Sequence, residues 1–174
     1  MNNTEYHPFA KFLHWSVVFL VVVEFLSAWF SPEHRDTVTS DILMSVHISI
    51  GILLFIAISL LLFMRFFRPT FKPMTNTQEK AAVLMQYLLY FMIIALTFSG
   101  WVAASIRGIE VGFANLFSLP ALLERGSSIG FSIAETHEFF STILLILIVG
   151  HVAAALYHHH ILKDSTLIRI LPKR

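Results

Sequence analysis

A chain of 174 residues with 56% apolar side chains, 13% charged ones and a mean hydropathy of +0.74 is too apolar for an ordinary soluble domain and reads as a membrane protein. Its formal charge of +1 says nothing about nucleic acid, but no basic run with interleaved aromatics is present and no nucleic-acid partner is expected. Zero cysteines exclude disulfides, thiolate metal sites, iron–sulfur clusters and covalent C-x-x-C-H haem attachment, so any metal must be held by His, carboxylate or Met.

Met1 to Lys11 is a short polar lead. The first membrane span is predicted over residues 12–30; its length, and the presence of His14 and Glu24, set it apart from a cleaved signal peptide, because both side chains are costly in lipid. Ser31 to Asp41 is a polar connection. The second span is predicted over 42–64 with His47 near its start, and a basic, proline-marked loop follows to Lys80. The third, over 81–105, contains no histidine. Between Ile106 and Glu135 lies a longer outer segment, in which Phe113 to Leu123 is expected to form a small helix on the membrane surface.

The fourth span is predicted over 137–160, and from Phe139 to Leu156 it carries no charge at all. The chain then ends in LKDSTLIRILPKR. With no internal repeat, low-complexity tract or second unit, residues 1–174 are expected to form one all-α domain, a transmembrane four-helix bundle.

Basic residues orient it. With both termini inside, the cytoplasmic segments hold Lys11, Arg65, Arg68, Lys72, Lys80, Lys163, Arg169, Lys173 and Arg174, against Arg35, Arg107 and Arg125 outside. Both termini are therefore expected to be cytoplasmic. His137 and His151 are fourteen residues apart, so on one helix they lie about 21 Å apart along the axis and only about 40° apart around it. In a hydrocarbon core about 30 Å thick, one sits towards each surface. His14 opens the first span from inside and His47 opens the second from outside, so His14 is level with His151, and His47 with His137.

One histidine in a membrane helix is often no more than a helix–helix hydrogen bond. Four at matched depths call for another reason, because coordination would offset the insertion cost at all of them together. Two facing imidazoles at one depth are what a six-coordinate haem takes from a protein, and such an iron suits electron transfer. Gly51 and Ala155, one turn beyond His47 and His151, would leave room for a flat macrocycle.

The HW of the first span, the histidine opening the second, the E-T-H-E entering the fourth, and GHVAAALYHHH with KDSTLIRILPKR closing it resemble the small prokaryotic cytochrome b561 proteins along essentially the whole chain. The resemblance implies a bacterial inner-membrane protein binding two b-type haems, His14 and His151 ligating the cytoplasmic-side one, His47 and His137 the periplasmic-side one. It also implies superoxide oxidation at the periplasmic face, with ubiquinone as the electron acceptor.

For the quinone end the residues offer His158, seven beyond His151 and so about 20° off the same face and about 10 Å nearer the cytoplasm. Quinone reduction consumes protons, and an imidazole open to water is a suitable donor. Lys163 and Asp164 either relay protons or mark the membrane boundary, and His159 and His160 point elsewhere on the helix.

Several features pull the other way. The outer segments carry Glu33, Asp36, Asp41, Glu110, Glu124, Glu135 and Glu138, and a net negative surface slows an anion such as superoxide. A positive mouth would need Arg35, Arg107 or Arg125 over the outer pair. Gln86 stands where family members can carry a further histidine. Glu24, in mid-membrane, is expected either to be protonated and hydrogen-bonded, the preferred reading, or to belong to a proton path. His7 and His34 are expected to be solvated. Two other classes stay open: a cytochrome b subunit relaying electrons from a separate periplasmic dehydrogenase or hydrogenase, and a haem-free transporter or metal-binding protein using the histidines for zinc or copper.

Overall fold

A long apolar run in lipid must satisfy its own backbone, and the helix does so within one segment. The computed structural model describes residues 6–30, 38–67, 77–114, 116–127 and 129–172, without the side chains of 38–40, 129–131 and 134. It contains α1 (Pro8–Phe30), α2 (Val38–Phe66), α3 (Thr77–Arg107), a short β1 (Val111–Phe113) and β2 (Phe117–Leu119), and α4 (Ile129–His160). All four helices are long and apolar enough to cross a membrane. Each begins a few residues ahead of its predicted span, because helices continue past the hydrocarbon into polar flanks. Arg35, His34, Glu33, Asp36, Arg68, Lys72, Lys173 and Arg174, named above, lie outside the described residues.

The ends have local causes. Pro8 opens α1, where its missing N–H costs nothing, and the His7 carbonyl accepts the Ala10 and Lys11 amides. Arg107 closes α3 because Gly108 adopts φ 70°, with its amide on Ser105 O and the next amide on Ala104 O. After α4, Lys163 takes φ 53° and the Asp164 amide returns to His158 O.

The bundle is two antiparallel hairpins, α1 with α2 and α3 with α4, joined along α2 and α3. Val17, Val21, Leu54, Ala57, Ile58, Met92, Ile93, Leu96 and Leu144, drawn from all four helices, form its buried centre. Phe19, Phe55, Phe91 and Ile146 face outwards, as expected where the solvent is lipid. Among the described residues no Cα of α4 comes within 8 Å of one in α1 or α2, so the helices bearing the predicted histidine pairs stand apart. The C-terminal segment folds back on α1, where Leu171 O accepts from Lys11 Nζ at 3.1 Å and Ile170 O from Trp15 Nε1 at 3.0 Å. The start of α1 and the segment through Leu171 thus meet at one end of the bundle.

The surface helix expected over Phe113 to Leu123 is instead an antiparallel hairpin, with Val111 opposite Leu119 and Phe113 opposite Phe117. Pro120 lacks the amide a helix would need there. The Phe113 and Phe117 rings stack at 5.8 Å, and Ala114 turns the chain at φ 46°. Anchors to the bundle complete it: Ser49 Oγ donates to Gly112 O at 3.4 Å, and Trp101 Nε1 to Pro120 O at 3.1 Å. Ser118 Oγ donates to the Glu110 carboxylate.

Candidate functional site

His47 sits on α2 near the end of the bundle that carries the hairpin, and His137 enters from α4 at the same level. Their ring centroids are 6.4 Å apart with the planes at 86°. With metal–imidazole bonds of about 2.0–2.1 Å, two rings on opposite sides of one metal have centroids about 6 Å apart. The spacing fits that arrangement, and the separation of α4 from α2 fits a plate between them.

The Nδ1 atoms of both rings are engaged in the same way. Ser99 Oγ lies 3.0 Å from His137 Nδ1 and donates its own hydrogen to Leu96 O at 3.0 Å. A hydroxyl has one hydrogen to give, so towards His137 the oxygen accepts and Nδ1 carries the proton. Ser27 Oγ likewise donates to Glu24 O at 2.9 Å and lies 3.3 Å from His47 Nδ1. Glu24 Oε2 is closer still, 2.5 Å from the same Nδ1. Both rings are therefore assigned the tautomer that leaves Nε2 with its lone pair, the form in which imidazole binds a metal.

Two glycines make this possible. A Cβ at Gly100 would stand 3.1 Å from His137 Cε1, so the ring packs against bare α3 backbone. At Gly51 a Cβ would stand 3.0 Å from Glu24 Oε1. Gly51 was expected to admit a macrocycle; the space beside it is taken by a carboxylate.

At the opposite level, His14 of α1 and His151 of α4 are both half-buried and lie within electrostatic range of one another. His14 packs edge-on to Trp15 at 5.8 Å, and through that indole the tail of the chain is tied beneath it. Among the described residues neither ring has a hydrogen-bond partner. His158, further along α4, places Nδ1 2.5 Å from Asp164 Oδ2, and Asp164 Oδ1 accepts the Thr166 amide at 2.8 Å. The bond from His158, followed by those from Thr166, holds the Asp164 carboxyl below the usual carboxylate range. His159 and His160 lie edge to face at 4.8 Å. His7 is exposed and accepts the Phe9 amide.

Sequence reasoning did not single out Ser27, Ser99 or Gly100. Their one signal was polarity and smallness in otherwise apolar helices, which is common to membrane spans of every function. Arg107, the last residue of α3, is near enough to His137 for its charge to be felt there, and the Arg125 side chain packs against Gly108 beside it. Among the described residues, no three His, Cys, Asp or Glu side chains converge as a metal cluster. Imidazoles come in twos, the number a porphyrin iron accepts.

A family model for prokaryotic cytochrome b561 matches residues 5–173. Cytochrome b561 homolog 1 of Escherichia coli K12 is 30% identical over 170 residues, 94% of this chain and 94% of that protein. Cytochrome b561 homolog 2 of the same organism is 30% identical over 165 residues, 90% of this chain and 79% of that one.

Proposed function

The chain belongs to the prokaryotic cytochrome b561 family of membrane electron-transfer proteins that bind haem b, and on that premise we propose that it holds two haems b, one between His47 and His137 and one between His14 and His151. The observation that carries this reading is the outer pair: two rings 6.4 Å apart, both with Nδ1 engaged and Nε2 left for a metal. The haems, when bound, supply one-electron couples at two depths of the bilayer.

In the proposed reaction two superoxide ions give up one electron each at the periplasmic face and leave as oxygen. Ubiquinone takes up the two electrons and two protons on the cytoplasmic side, both termini facing that compartment of a bacterial inner membrane. Arg107 brings positive charge towards His137, with Arg125 packed against the adjoining Gly108, and favours an anion there against the repulsion of Glu110, Glu124 and Glu135. His158 is assigned the proton donor. Its Nδ1 is tied to Asp164, which fixes the ring and leaves Nε2 to hand a proton to a quinone oxygen and to be recharged from water.

Stopped-flow mixing of the haem-loaded protein with superoxide tests the reaction. The reading requires rapid haem reduction by the isolated chain and reoxidation by ubiquinone. Reduction only in the presence of a co-purifying periplasmic dehydrogenase or hydrogenase would favour the relay reading instead.

A further inference from the structure

The two rings of the outer pair are held by unlike groups. His137 donates to a neutral hydroxyl at 3.0 Å, whereas His47 faces a carboxylate at 2.5 Å, with Ser27 Oγ and Glu24 O each at 3.3 Å. Glu24 Oε2 is buried 2.5 Å from His47 Nδ1, within ion-pair range, and among the described residues it has no hydrogen bond of regular geometry. Oε1 lies against the one turn of α2 whose residue, Gly51, has no side chain. A carboxylic side chain within a membrane span is expensive, and here the facing helix is shaped to seat it against one ring nitrogen.

We infer that Glu24, seated on Gly51 and facing His47 Nδ1 at 2.5 Å, is a positioning residue that sets the redox potential of the outer haem level. This rests on His47 being an axial ligand. In its ionised form, rather than the protonated form preferred from the sequence, Glu24 polarises Nδ1–H and makes the imidazole a stronger electron donor at Nε2, which stabilises the oxidised metal and lowers its potential. Among the described residues the inner pair has no such group, so the lowering falls on one level. Electrons arriving at the outer level are thereby pushed inward, towards the quinone end. Glu24 needs no contact with substrate and moves no proton in this role.

The test is a potentiometric titration of the purified, haem-loaded protein at one fixed pH, with haem content measured alongside. His47→Ala identifies the outer component as the one that disappears. Glu24→Gln should raise the potential of that component by about a factor of ten in its one-electron equilibrium, about 59 mV, and leave the other unchanged. Gly51→Ala should move it in the same direction by less, since a new methyl displaces the carboxylate without removing it. An unchanged outer potential in both variants at full haem content would overturn the inference while leaving the ligand assignment intact. Equal shifts at both levels would also overturn it, because they would mark a general loosening. A His47→Ala protein that keeps both components would overturn the ligand assignment itself, and the inference with it.

Discussion

The outer and inner histidine pairs look equivalent in the sequence, yet they are built differently. At the outer level His47 and His137 are locked by Glu24, Ser27 and Ser99, and lie against Gly51 and Gly100. At the inner level His14 and His151 have no bonded partner among the described residues, and the local order comes from the chain's tail clasping Lys11 and Trp15. The outer site is organised by the bundle itself; the inner one depends on whatever fills the gap between α1 and α4. Ring orientation can therefore be set at one level without disturbing the other.

The largest expected effect separates the two levels outright. His47→Ala or His137→Ala should each remove about half of the reduced-minus-oxidised haem signal, and His14→Ala or His151→Ala the other half, because one missing axial ligand leaves a single imidazole to hold the group. Overlapping losses from the two sets would break the comparison.

His158→Gln comes next and belongs to the inner level alone. Ubiquinol formation should fall by about a hundredfold or more, the usual worth of a positioned proton donor, with haem content and superoxide-driven reduction unchanged. Ser99→Ala tests the outer lock: His137 loses its side-chain acceptor for Nδ1–H and keeps only the Leu96 backbone, and affinity for the outer haem should drop about tenfold in an extraction assay, the inner one staying in place.

The smallest effect concerns pH. Since its bonds to His158 and Thr166 lower the Asp164 pKa in the folded protein, they stabilise it above the ordinary carboxylate range, near about 4, and this is lost as pH falls below it. The melting-temperature advantage of the wild type over Asp164→Asn should be steady above about pH 5 and shrink in more acid buffer.

The membrane spans were legible because an uncharged apolar run of bilayer length has few alternative structures in lipid. The levels of the four histidines followed from helical rise once the spans alternated in direction. What stayed hidden is tertiary. Glu24 lies ten residues from His14 on α1 and serves the histidine of another level on another helix, a relation that only the docking of α1 on α2 creates. Ser99 and Gly100 sit on the one span without histidine, so nothing in their own helix marked them. The segment after α3 was misread for a local reason: its apolar patches suit a surface helix as well as a hairpin, and Pro120 together with the cross-strand Phe113 and Phe117 pair decides between them.

The central claim is two haems held by two separate pairs. Pyridine haemochrome quantification per chain, on the wild type and on His47→Ala and His14→Ala, tests it most directly. The account expects two haems b in the wild type and one in each variant, with the surviving redox component different between the two. One haem or none in the wild type, or the same surviving component in both variants, would contradict it.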